Sequence, residues 1–144
     1  MQPRRPFLLS LLAIAFLLFA GSGFLRLGGA LVNWDLLAAA GMRPGPIYPA
    51  LTGAAYGLSG LAVALGLWFG WQKAGRLARG LALFYAAWYW IDKLFIAGNP
   101  IARTNWPAAL VISLGLLAAV IGILQLRRVR LFLHEVNREN EHAK

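Results

Sequence analysis

Three long stretches without a charged residue dominate this chain: Pro6 to Leu25 with 20 residues, Pro44 to Gln72 with 29 and Thr104 to Leu126 with 23. A fourth uncharged stretch, Gly80 to Ile91, is shorter and ends at Asp92. The hydrocarbon core of a bilayer is about 30 Å thick, and a helix needs about 20 apolar residues to cross it. The pattern therefore predicts three clear membrane crossings and a fourth that contains an acid.

These stretches predict an all-α fold, namely a polytopic membrane protein with a four-transmembrane-helix bundle and an outer-face interfacial helix. The membrane domain is expected at residues 1–136, with crossings at about 7–25, 47–71, 81–97 and 106–126, and a polar cytoplasmic tail at 137–144. The start of the chain also resembles a secretory signal, with two arginines before an apolar core. Its apolar run is long enough to span the bilayer, so we expect it to stay as the first crossing.

Residues 27–46 form the interfacial segment of this prediction. Their apolar side chains recur at helical spacing, and Trp34 is suited to anchor a helix in the outer interface. A bent continuation of the first helix fits the same residues equally well. A fifth crossing is rejected, because it would move most of the basic residues to the outer side of the membrane.

The basic residues indicate the orientation. The chain has a formal net charge of +9. With four crossings, ten of its 14 Lys and Arg residues lie on the side of both termini and four on the other. Because Lys and Arg gather on the cytoplasmic side, both termini are predicted to be cytoplasmic in a multi-pass plasma (inner) membrane protein. This distribution explains the charge without nucleic acid, which we do not expect as a partner.

The composition limits the chemistry. The chain of 144 residues is 60% hydrophobic and has a mean hydropathy of +0.63, so the crossings leave no length for a soluble catalytic domain. It has no cysteine, and its two histidines, His134 and His142, lie in the polar C-terminal segment. No nucleophile, phosphate-binding or metal-binding motif is present in the sequence. We therefore assign no catalytic residue, metal or cofactor, and an enzyme is the less favoured class.

Asp92 is the most unusual polar residue, since it lies about 18 Å along the helix from Gly80. Helical spacing brings it towards one face with Tyr85, Trp88 and Tyr89, which predicts a polar and aromatic cleft near the outer leaflet. Further candidates for this cleft are Arg26, Arg103 and Asp35. The favoured interpretation is a structural ion pair between Asp92 and an arginine, with large rings that fill the bundle. The alternative is a site for a proton, a lipid, a quinone or a solute.

The second crossing is rich in glycine, and small residues let helix backbones approach closely in lipid. The candidates for helix packing or partner binding are Gly53, Gly57, Gly60, Gly66 and Gly70. Packing within the bundle, for example against the small residues of the last crossing, is favoured over a dimer or partner interface. After the last crossing, Arg127, Arg128 and Arg130 are candidates to contact lipid headgroups. Simple flanking of the last crossing by basic residues explains them equally well.

Several short segments resemble those of small, uncharacterised bacterial four-helix integral membrane proteins. They are Asn33-Trp34-Asp35-Leu36-Leu37, the stretch from Tyr85 to Leu94, and Asn105-Trp106-Pro107. In layout the chain is also similar to DoxX-like four-helix proteins. The resemblance implies the four-helix topology and implies no activity.

We therefore expect a small integral membrane protein of structural or accessory type, a subunit or assembly partner of a larger membrane complex. Its expected partners are membrane lipids together with a membrane protein or further copies of itself. The alternative is a small lipid-, quinone- or solute-binding or transport protein that uses the cleft around Asp92.

Overall fold

The structure is a computed structural model of the chain, and it describes residues 6–41, 44–71, 73–96 and 106–132. All regular secondary structure in these ranges is helical, which confirms the all-α prediction. The helices are, in chain order, α1 (Phe7–Val32), α2 (Trp34–Ala39), α3 (Ile47–Trp68), α4 (Ala74–Ile91) with a π-helical continuation over Asp92–Ile96, and α5 (Trp106–Gln125). After a bend at Leu126, residues 127–132 form a further short helix.

Three of these helices are long and apolar enough to cross a membrane: α1 with 26 residues, α3 with 22 and α5 with 20. At 1.5 Å per residue even α5 reaches about 30 Å, which matches the hydrocarbon core. The 18 residues of α4 do not meet this condition, since Arg76 and Arg79 lie in its first two turns. The four-helix membrane bundle is thus not confirmed, and the fourth crossing stays a prediction.

The first helix extends beyond Leu25, the last residue of its uncharged run. It continues past Arg26 and through two glycines to Val32. The side-chain Nδ2 of Asn33 then donates a hydrogen bond to the carbonyl oxygen of Gly29, at 2.8 Å, and α2 follows after this residue. The first part of the segment expected at the interface is therefore a continuation of α1, which was one of the two interpretations of the sequence.

Contacts divide the chain into two compact units, one of residues 13–65 and one of residues 1–12 together with 66–144. In the unit of residues 13–65, α1 and α3 approach each other backbone to backbone. A Cβ atom on Gly23 would lie 2.5 Å from the backbone nitrogen of Gly57, and one on Gly53 would lie 2.6 Å from that of Leu27. A Cβ atom on Gly60 would meet Ala20 at 3.2 Å. Glycine is required at this crossing because any side chain would separate the two helices.

This contact changes the interpretation of the glycines in the second crossing. The sequence suggested the last crossing as the packing partner, but Gly53, Gly57 and Gly60 lie against α1. A Cβ atom on Gly115 or Gly122 of α5 would meet nothing within 4 Å. The sequence could not identify the partner helix, because a small-residue pattern defines a surface but not what covers it.

Gly66 and Gly70 shape the turn from α3 to α4. Gly70 has a φ of 69°, in the left-handed region that favours glycine, and the N–H of Trp71 donates to the carbonyl oxygen of Gly66 at 2.8 Å. This bond and the left-handed glycine form a Schellman C-cap. A Cβ atom on Gly66 would lie 3.1 Å from Trp71 and 3.2 Å from Ala74, so these two side chains already occupy the space beside this glycine.

We expect Gly23→Ala and Gly53→Ala each to lower the thermal stability of the detergent-purified protein, because the new methyl group would clash with backbone atoms. Overpacking of this kind costs about 1–3 kcal/mol. Gly21→Ala is the matched control, since it lies on α1 with open space around it and gains helix propensity. Equal melting temperatures for Gly23→Ala and Gly21→Ala would show that the close helix contact does not exist.

Candidate functional site

The C-terminal half of α4 carries a cluster of aromatic rings. Phe84 stacks on Trp88, with ring centroids 6.0 Å apart and an interplanar angle of 22°. Tyr89 and Trp90 meet edge to face at 5.8 Å. Tyr85 and Trp88 are half-buried, whereas Tyr89 is exposed. Offset-stacked and edge-to-face ring pairs add stability beyond the burial of their surface. The aromatic cluster therefore orders this end of α4, where Asp92 and Lys93 follow.

Lys93 folds back onto these rings. Its Nζ lies 5.7 Å from the ring centroid of Tyr89 and 5.7 Å from that of Trp90. Both distances are within the range of a cation–π interaction. The side chain of Lys93 is half-buried and covers the rings. This ammonium group adds positive charge next to Asp92 in the chain.

Asp92 stands where α4 changes into the π-helical continuation. Its N–H donates to the carbonyl oxygens of both Trp88 and Tyr89, and its side chain is half-buried. Wider π-helical turns inside helices are often found at functional sites. The candidate partner Arg103 lies outside the described residues, so its pairing with Asp92 stays a prediction.

The other two polar candidates belong to the unit of residues 13–65. The guanidinium of Arg26 lies over the ring of Tyr48, 5.9 Å from its centroid, which is a second cation–π contact. Asp35 is exposed in the first turn of α2. The structure thus places Tyr85, Trp88, Tyr89 and Asp92 together on α4, and it places Arg26 and Asp35 in the other unit.

The sequence analysis missed the bond that joins α4 to α5. The Nε1–H of Trp90 donates to the Oγ of Ser113 at 3.2 Å, and that hydroxyl donates to the carbonyl oxygen of Leu110 at 3.0 Å. The sequence did contain a signal, because Ser113 is the single hydroxyl residue within the apolar α5. Side-chain hydrogen bonds of this type hold helices together where lipid supplies no hydrophobic drive.

α5 has two different faces. Most of its half-buried and buried side chains recur at helical spacing on the side of Ser113, whose hydroxyl bonds α4: Ala109, Ser113, Leu117, Val120 and Leu124, with Ile121 and Ile123 beside them. Gly122 lies about 180° around the helix from Ser113, at 100° per residue. Around Gly122 is an exposed surface that we call the small-residue face, made of Ala108, Gly115, Ala118, Ala119 and Gly122. In the structure nothing packs on Gly115 or Gly122 of this face.

The three arginines predicted to contact headgroups lie at the start of the short helix of residues 127–132. Arg127, Arg128 and Arg130 are all exposed. Val129 between them is 1% exposed and holds the short helix in place. The arrangement directs the charged groups outwards.

Within the described ranges, no group of three or more His, Asp or Glu residues converges as metal ligands would. Comparison with protein-family models, with curated proteins and with solved structures returned no match. Function therefore has to be argued from the residues of this chain.

We expect Ser113→Ala to lower stability in detergent, because it removes the acceptor of the Trp90 N–H. The effect should be small, about 0.5–1.7 kcal/mol, as for other interhelical hydrogen bonds between membrane helices. A double-mutant cycle with Trp90→Phe isolates the coupling between the two residues. The control is Ser22→Ala, whose hydroxyl bonds the carbonyl oxygen of Phe19 in its own helix. Additive effects in the cycle would exclude the bond.

Proposed function

We propose that this chain is a small integral membrane protein of accessory type, which binds a membrane-spanning helix of a larger complex through the small-residue face of α5. The exposure of α5 is the main support for this role. Only 6% of its apolar window is buried, compared with 50% for α3. This helix also has the highest hydropathy of the three, 2.5.

The composition of the small-residue face supports a helix as its occupant in preference to lipid alone. Lipid tails pack well on Leu, Ile and Val, which α5 has on its other exposed positions. Glycine costs about 1 kcal/mol relative to alanine in a helix interior, and it supplies no side chain for lipid contact. Its benefit in a membrane is close approach of a second helix, with many dispersion contacts and weak Cα–H hydrogen bonds. On α3 the same residue type is already used in this way against α1.

We further propose that the chain sits in a bacterial inner membrane, crosses it four times and has both termini in the cytoplasm. The positions of the Lys and Arg residues support this orientation. The fourth crossing would be α4 with its π-helical continuation, which together cover 23 residues (18 + 5) and about 34 Å. The packing of α4 on α5 gives the less apolar helix a partner within the membrane.

A second candidate function is binding or transport of a lipid, quinone or small solute at the outer end of α4. The π-helical turn at Asp92 favours it, since such turns are often functional, as does the neighbouring Lys93 held over two rings. An aromatic surface with one acid and one neighbouring cation can hold a flat ring and orient its polar end.

The accessory role predicts that Gly115→Leu abolishes co-purification of a stoichiometric protein partner from native membranes in gentle detergent. The melting temperature of the isolated chain should not fall, because the new side chain meets nothing within the protein. Native mass spectrometry gives the composition. Gly28→Leu is the matched control, as it adds the same side chain at an open glycine of α1 and should keep the partner.

Retention of the partner by Gly115→Leu would contradict the proposed face. Recovery of the unmodified chain alone would contradict the accessory role. A complex made of further copies of this chain would replace the accessory role by a homo-oligomer.

We expect Asp92→Asn to lower the melting temperature in detergent, because Asp92 is a structural acid in the accessory interpretation. Thermal unfolding followed by tryptophan fluorescence checks this. An unchanged melting temperature together with loss of a bound lipid or quinone from the purified protein would favour the second candidate function instead.

A further inference from the structure

One end of the α4–α5 pair carries a group of exposed basic residues. We call it the cationic rim, and it consists of Lys73, Arg76, Arg127, Arg128 and Arg130. Arg79 is left out of this group, because its Nε donates to the carbonyl oxygen of Gly75 on the same helix, at 3.2 Å.

The Trp90–Ser113 hydrogen bond shows that the two halves of the rim lie at the same level. A short connection, residues 97–105, joins the two helices, and contacting helices with such a connection run antiparallel. Arg76 lies 14 residues before Trp90 (90 − 76), and Arg127 lies 14 residues after Ser113 (127 − 113). Arg76 is therefore about 21 Å from the bond along α4, and the end of α5 at Gln125, just before Arg127, is about 18 Å from it (125 − 113 = 12 residues), at the same end of the pair.

No acid in the described part of the rim's own unit neutralises this end. The described residues of that unit contain one carboxylate, Asp92. Asp92 lies 16 residues beyond Arg76 (92 − 76), about 24 Å away towards the other end of α4. The like charges of the rim repel one another, so a bound anion would stabilise their arrangement.

The surroundings of the rim suit a phospholipid. Exposed Leu126, at 43%, lies between the arginines and the apolar length of α5, so acyl chains and headgroup have adjacent surfaces. Buried Val129 fixes the backbone that carries the three arginines. Guanidinium groups bind phosphate oxygens with two parallel hydrogen bonds. Each basic residue near an anionic membrane surface adds about 1 kcal/mol of attraction.

We propose that the cationic rim binds an anionic phospholipid, with preference for a headgroup that contains two phosphates. The proposal requires the chain to be embedded in a membrane. It does not require a protein partner, so it can hold or fail independently of the accessory role.

The test uses the full chain, purified and delipidated in a neutral detergent, with thermal unfolding followed by tryptophan fluorescence. The probes are phosphatidylcholine, phosphatidylglycerol, the diphosphate lipid cardiolipin, and inorganic phosphate. We compare Arg76→Gln/Arg128→Gln with the control Arg138→Gln/Lys144→Gln, which removes the same charge from the polar C-terminal segment, outside the rim.

For the unmodified chain we expect cardiolipin to raise the melting temperature by about 5–10 °C at about 100 times its Kd, with a smaller rise for phosphatidylglycerol. High salt should reduce the rise. The rim variant should lose it and the control variant should keep it. An equal rise with phosphatidylcholine or inorganic phosphate, an equal rise in the rim variant, or no rise at all would overturn the proposal.

Discussion

Helices that lie in lipid gain little by hiding apolar surface from water, so a few close contacts have to hold them together. This protein uses two such contacts, one in each unit. In residues 13–65, α1 and α3 meet where glycine lets their backbones touch. In the other unit, the Trp90–Ser113 hydrogen bond and the packed face of α5 hold α5 to α4. The faces that these contacts leave exposed are the ones that remain for lipid and for the partner helix proposed above.

The position of α4 depends most on this constraint. Its basic first turns and its acid near the far end make it the least apolar of the long helices. The charged groups near its two ends have different surroundings, since Arg79 turns back on its own backbone and Lys93 lies over two aromatic rings. Between them, Trp90 keeps its indole N–H satisfied by a neighbouring helix. Polar groups that are satisfied within the protein are what the fourth crossing proposed for α4 requires.

Sequence patterns were sufficient to predict the all-α class and the three apolar helices, because about 20 consecutive uncharged, mostly apolar residues are typical of a membrane-spanning helix. They did not define where α1 ends, since Gly28 and Gly29 break helices in water but are tolerated in apolar ones. The partner of Gly53 and Gly57 was not predictable either, because it lies about 30 residues earlier in the chain, on α1. The hydrogen bond of Ser113 was not predictable, because its partner on α4 depends on how the two helices are aligned along their axes. For the cleft around Asp92, the sequence grouped the α4 residues on one helix but could not place Arg26 and Asp35 relative to them.

We propose α4 as the fourth crossing, and the number of crossings decides whether the termini share one side of the membrane. The chain has no cysteine, so single-cysteine variants Gln2→Cys, Ala40→Cys and Ala143→Cys can be labelled individually with a membrane-impermeant maleimide. Four crossings predict that Ala40→Cys is labelled in intact cells, whereas both terminal variants are labelled only after permeabilisation. Labelling of one terminal variant but not the other in intact cells would contradict the account, because it requires an odd number of crossings.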